Sequence, residues 1–183
     1  MAPTTAISSR NDSAQNGTRY GALVAPRCGL VVLVSDVAPY ELMKLRLLNG
    51  SHSTIAYLGY LAGYETVADV MNDASFARLI AALMDEEVTP TLPVPPGADL
   101  SRYKRSLLER FSNPALKHRT WQIAMDGSQK LPQRILSTIR DRLDAGLPFP
   151  RLALTVAAWI RYVGGVDEKG APVQLKGISS MWL

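Results

Sequence analysis

The sequence predicts a mainly α-helical fold with one short N-terminal strand, and three observations predict it. From Pro39 onward apolar residues recur at helical spacing, most clearly in "ASFARLIAALMDEEV". Helix punctuation brackets these segments: Thr66, Asp73, Ser101 and Ser128 as caps, Pro114 as a first-turn residue, Gly146 as a stop. Finally, a single β-branched run, "GLVVLVSDV" from Gly29, reads as a buried strand, and no second strong strand stands ready to pair with it.

Taken in order, residues 1–29 are polar, aperiodic and rich in Ser, Thr, Asn and Ala, so they are expected to form a disordered tail. The strand follows. "YELMKLRLLNGSHSTIAYLGYLAGY" is long and apolar on several sides, and its Gly59 and Gly63 make a GxxxG spacing that signals close packing. Thr66 caps "VADVMND" and Asp73 caps the next helix. "TPTLPVPPGAD" holds four prolines in eleven residues and is expected to be an extended loop. Ser101 opens "RYKRSLLERFSN", and Pro114 starts a helix over "PALKHRTWQIAM". "DGS" is a turn before "QKLPQRILSTIRDRLDAG". "RLALTVAAWIRYVGG" is apolar nearly all round and is expected to be a buried helix.

The chain has 183 residues, 47% hydrophobic and 20% charged, which is a globular composition with room for a core. The net charge of +4 is spread out, without the dense Lys/Arg run of a nucleic-acid arm, so no nucleic-acid partner is expected. No run reaches the ~20 apolar residues needed to span a bilayer, so no membrane partner is expected either. Cys28 is the one cysteine, with no Cys/His cluster around it, so no metal site is expected. With no convincing secretory signal, a reducing, cytoplasmic location follows.

The candidate chemistry lies in "MKLRLLNGSHS". Lys44, Asn49 and His52 follow a K-x4-N-x2-H spacing. On an α-helix they lie at roughly 0°, 140° and 80°, within one broad face. A desolvated lysine can serve as a general base, and an amide and an imidazole can hold and polarise a substrate oxygen. The trio suits interconversion of an alcohol and a carbonyl. On spacing alone, three polar residues on an ordinary helix surface explain the pattern more simply. In "DGSQK", Lys130 is expected in the first turn of a helix, where the dipole mildly disfavours a cation. That is a modest hint of a bound anionic or polyhydroxylated ligand. No G-x-G-x-x-G, no Walker loop and no nucleophile elbow occur, so no cofactor-binding residue is assigned.

Three long strings now carry a resemblance, in the same order: "DVAPYELMKLRLLNGSHSTIAYLGYLAGYETV", "RFSNPALKHRTWQIAMDGSQKLPQRIL" and "VAAWIRYVGGVDEKG". Together they are similar to the C-terminal domain of the mannitol dehydrogenase family, the long-chain polyol and uronate dehydrogenases, over residues 30–174. "HRTWQIAMDGSQKLPQR" and "RYVGGVDEKG" look nearest to its fructuronate reductase (D-mannonate oxidoreductase) branch, with the mannitol 2-dehydrogenases as the alternative.

The resemblance implies an NAD-dependent, metal-independent oxidoreductase acting on a sugar acid or polyol. It implies that Lys44 is the catalytic acid/base, that Asn49 and His52 bind the reacting oxygen, and that Lys130 faces the substrate. The implied fold is the helical substrate domain of a long-chain dehydrogenase, with no Rossmann domain in this chain. A separate Rossmann-domain chain is therefore a candidate partner. Residues 1–29 and 175–183 depart from the family pattern, and the reading expects a gene product cut at both ends, inactive alone. A non-catalytic helical remnant or interaction module is the remaining alternative.

Overall fold

The computed structural model describes residues 22–25, 29–32, 36–95, 97–165 and 172. The expected divergent end at 175–183 and most of the expected 1–29 tail lie outside the described residues. The chain divides into two units, residues 1–37 and 38–183.

In the first unit, β1 (Ala22–Ala25) pairs antiparallel with β2 (Gly29–Val32), Leu23 opposite Val31. β2 begins the strand the sequence predicts. Its partner, "ALVA", is only four residues long and sits at the end of a polar stretch, so periodicity does not reveal it.

The second unit is helical. Its first helix runs unbroken over residues 38–61, as α1 (Ala38–Met43), a π turn (Lys44–Gly50) and α2 (Ser51–Leu61). Met43 and Gly50 keep helical backbone angles, so the wide turn lies inside the helix rather than ending it. Then come α3 (Val67–Asn72), α4 (Ala74–Ala82) with a π turn over Leu83–Val88, and α5 (Leu100–Phe111). After α6 (Thr120–Ala124), α7 (Gly127–Leu131) runs through a third π turn (Pro132–Leu136) into α8 (Ser137–Asp144). The described helices end with α9 (Pro150–Val163).

Several caps stand where the sequence puts them. The Thr66 hydroxyl accepts from the Asp69 amide, and the Asp69 carboxylate accepts from the Thr66 amide, a reciprocal capping box. Asp73 accepts from the Ser75 amide at 2.7 Å. Gly146, at φ 65°, stops α8. Others differ. Asp99, not Ser101, caps α5, accepting from the Arg102 amide at 2.9 Å. The helix expected from Pro114 is a single 3-10 turn, Pro114–Leu116, broken by Lys117 at φ 44°. The chain then runs extended and bridges back to the α2–α3 connection. There the Val67 amide donates to the His118 carbonyl and the Thr120 amide to the Glu65 carbonyl. Tertiary pairing overrides the helical pattern here. Ser128 lies inside α7; the cap position belongs to Asp126, at φ 58°.

The core surrounds α2, which packs on α6 and α9. Leu47, Ile55, Tyr57, Val70, Ile80, Leu83, Leu131, Ile135, Leu152 and Tyr162 are sealed in it. Tyr57 donates to the Ala124 carbonyl at 3.0 Å, and the Thr54 and Thr155 hydroxyls meet at 2.9 Å, fixing α2 to α6 and α9. Gly59 is the close-approach residue expected of GxxxG: a Cβ there would sit 2.2 Å from Val70 Cγ2. Gly63 has open space beside it and instead takes φ 86° just past the end of α2.

Buried charge fastens the periphery. Glu87 is 1% exposed, and its carboxylate accepts from the Arg151 and Leu152 amides, each at 2.9 Å, capping α9. Arg142 donates to the carbonyls of Glu86, Glu87 and Pro148, closing the second π turn. α9 itself is not buried all round. Leu152, Thr155, Ala158 and Tyr162 face the core, while Leu154, Ile160 and Val163 are exposed. A helix apolar on every side is satisfied on one face only within these residues.

Candidate active site

The π turn decides how Lys44, Asn49 and His52 relate. A π turn closes its hydrogen bond five residues on rather than four, so each residue subtends a smaller angle. The five steps from Lys44 to Asn49 therefore overshoot a full turn by less than the ~140° of an α-helix. His52 follows three steps later, the first still inside the wide turn, within roughly 80° of Asn49. The wide turn thus draws all three to one side of the helix. That side is half open: Lys44 is exposed and Asn49 and His52 are partly exposed, while Arg46, Leu47 and Gly50 are buried.

Lys44 is not the desolvated lysine that the apolar sequence around it suggests. It is the first residue of the π turn and stands away from the buried set. Among the described residues it has no ion-pair or hydrogen-bond partner.

His52 is the more enclosed group. Its ring stacks on Phe111 at 5.1 Å between centroids and meets His118 edge-on at 5.7 Å. Burial, then His118, Arg110 and Arg134, push its pKa down to about 4. The imidazole is therefore neutral at physiological pH, with one N–H to donate and one lone pair to offer. Its Nε2 is sealed from solvent without a partner. An unpaired buried polar atom costs ~1–3 kcal/mol, and among the described residues this one shares that state with five others, Ser51 Oγ and Arg134 Nε among them.

Lys130 has a structural use. Its ammonium donates to the Met125 carbonyl at 2.6 Å and lies 3.6 Å from the Asp126 carboxylate. Those two acceptors offset the helix-dipole penalty expected at that place. It lies in α7, whose Gly127 packs so tightly that a Cβ would sit 2.4 Å from both Trp159 Nε1 and the Tyr57 hydroxyl.

Two neighbours of His52 were not singled out from the sequence. His118 is held by the extended segment beside α3. Arg134 sits in the third π turn, which packs on the first: a Cβ on Gly50 would lie 3.0 Å from the Arg134 carbonyl. The available signal for Arg134 was its i,i+4 relation to Lys130 within one helix. His118 had none, because its approach depends on a bridge between distant segments.

Among the described residues no group of three or more His, Cys, Asp or Glu side chains is placed to hold a metal, and no helix is long and apolar enough to cross a membrane.

This helical unit, with its K-x4-N-x2-H face, has close counterparts. Residues 36–181 match the family model of the mannitol dehydrogenase C-terminal domain, and the chain belongs to that family. D-mannonate oxidoreductase of Escherichia coli is 57% identical over 142 residues, 78% of this chain and 29% of that protein. Mannitol 2-dehydrogenase of Phaeosphaeria nodorum is 46% identical over 142 residues, 78% of this chain and 25% of the relative. The solved ternary complex of Pseudomonas fluorescens mannitol 2-dehydrogenase with NAD and D-mannitol superposes with a TM-score of 0.76 at 44% identity, covering 79% of this chain and 29% of that one. The chain thus spans under a third of the length of the relatives it matches.

Proposed function

We propose that this chain carries the proton-handling side of the active site of a polyol or sugar-acid dehydrogenase. Lys44 is the acid/base that takes the proton from the substrate hydroxyl, or returns it to the oxygen in the reverse direction. Asn49 and His52 hold that oxygen and polarise it as the carbon changes between alcohol and carbonyl. Lys130 faces the remainder of the substrate. The observation that carries this reading is the neutral, partner-seeking His52 on the same side of one helix as Asn49 and Lys44.

NAD is the hydride carrier implied by the family. The described residues offer no strand, glycine turn and helix to cradle a dinucleotide. Its binding domain is assigned elsewhere, on this or a separate chain. The base role also requires desolvation of Lys44, which depends on what covers this open face.

Between substrate classes, the higher identity to the D-mannonate oxidoreductase supports a sugar acid, with fructuronate as the carbonyl partner; fructose and mannitol are the alternative. The test is a chimera in which residues 36–181 replace the matching domain of the Escherichia coli D-mannonate oxidoreductase. NADH oxidation is followed with fructuronate and with fructose. Turnover is expected with fructuronate, falling on the order of 10²–10⁴-fold in Lys44→Ala. A folded but inactive chimera, or a fully active Lys44→Ala, refutes the assignment. The 183-residue chain alone is expected to show no turnover.

A further inference from the structure

Buried and half-buried arginines in this unit are matched to acceptors, with one exception. Arg46 meets the Asp141 carboxylate at 2.6 Å and the Thr91 hydroxyl at 2.8 Å. Arg151 meets Glu86 at 2.8 Å and Glu87 at 3.2 Å. Arg142 lies on three carbonyls. Arg134 has no carboxylate among the described residues. Its Nη1 donates to the Ser53 hydroxyl at a long 3.3 Å, and among the described residues its Nε is sealed without a partner while its Nη2 is neither bonded nor sealed. Burial pulls its proton affinity down, as expected of a guanidinium without a counter-charge.

Its place matters as much as its solitude. Ser53, which receives the Arg134 hydrogen bond, donates in turn to the Asn49 carbonyl at 3.1 Å and directly follows His52. The Arg134 charge is close enough to depress His52. Arg134, with no carboxylate partner among the described residues, thus lies against the helical turn that carries Asn49 and His52.

We propose that Arg134 is the carboxylate-recognising residue of this site: its open edge binds the acid group of a sugar-acid substrate whose hydroxyl-bearing carbon lies at Asn49 and His52. The inference rests on the dehydrogenase reading above and deepens it. A guanidinium presents parallel N–H donors that match a carboxylate, whereas a primary alcohol offers a single neutral oxygen. The residue therefore discriminates acid from polyol.

The test uses the 183-residue chain, with D-mannonate and D-mannitol as probes differing at one end in carboxylate against CH2OH. Binding is read by NMR titration in wild type, Arg134→Gln and Arg134→Lys. Wild type is expected to prefer mannonate by roughly 10–100-fold. Arg134→Gln should weaken mannonate at least about tenfold more than mannitol and so erase that preference, while Arg134→Lys keeps the charge, loses the fork and falls between. Thermal unfolding should show Arg134→Gln at least as stable as wild type, because it removes an uncompensated charge. Should Arg134→Gln fail to fold, the Arg134→Lys comparison decides alone. A mannonate preference that survives substitution, or equal weakening of both ligands, overturns the role of Arg134 and leaves the dehydrogenase reading standing. Binding of neither probe to wild type overturns the role of Arg134 in this chain, and the dehydrogenase reading is decided separately by the chimera.

Discussion

His52 joins packing to chemistry, and its titration is its most direct signature. With the folded pKa depressed to about 4 from an ordinary 6.5, the folded chain resists protonation that the unfolded chain accepts. Stability from this residue is fully present above pH ~6.5 and is lost as pH falls toward 4. The His52 C2 proton should hold the neutral-imidazole shift down to pH 5 and titrate near 4. A midpoint near 6.5 would contradict the enclosure by Phe111 and His118. K-x4-N-x2-H singled this residue out from the sequence, and the role proposed for it rests on that spacing together with its enclosure. Its neighbours were not: His118 and Arg134 reach it through a bridge and a helix contact between segments far apart in sequence. The exposure of Lys44 was not fixed by its apolar neighbours for a related reason. Apolar neighbours show that a helix is buried somewhere, not on which side.

At the scale of elements, three helices among the described residues open into π turns, and the first packs on both of the others. None was visible in the sequence, because apolar spacing cannot tell a wide turn from an ordinary one. Caps were legible where a short polar side chain serves its own helix, as Thr66 and Asp73 do. They were missed where the cap comes from afar, as Glu87 does for α9. GxxxG resolves into two different glycines. Gly59→Ala forces a methyl against Val70 and should lower stability by ~1–3 kcal/mol in denaturant unfolding. An unchanged midpoint would show that α2 and α3 can part without cost.

For the whole molecule, the fold class was legible because helix periodicity and caps agree from Pro39 onward. The faces were not, because apolar residues look alike whether they meet a core or stand in solvent. Leu154 at 43%, Ile160 at 58% and Val163 at 38% exposure lie on α9, with Leu136, Leu143 and Leu147 exposed on the segment before it. Such surface favours self-association. Concentration-dependent sedimentation is expected for the chain, and Ile160→Lys should reduce it without lowering the unfolding midpoint. If the variant associates as strongly as wild type, this face is not the adhesive one.

The unbroken helix over residues 38–61 has a consequence for chain length. The reach from Lys44 to His52 is measured in residues but spent in rotation, and the wide turn is where the two are reconciled. Removing one residue between Lys44 and Asn49 could keep the helix, its apolar content and every named side chain. It would tighten the turn to ordinary pitch and leave Lys44 on nearly the same side as Asn49, because four ordinary steps overshoot a full turn by about as much as five wide ones. The wide turn thus holds one residue in reserve: a deletion inside it keeps the face, whereas a deletion in the ordinary turn that follows it, before His52, would swing Lys44 away from His52 by ~100°.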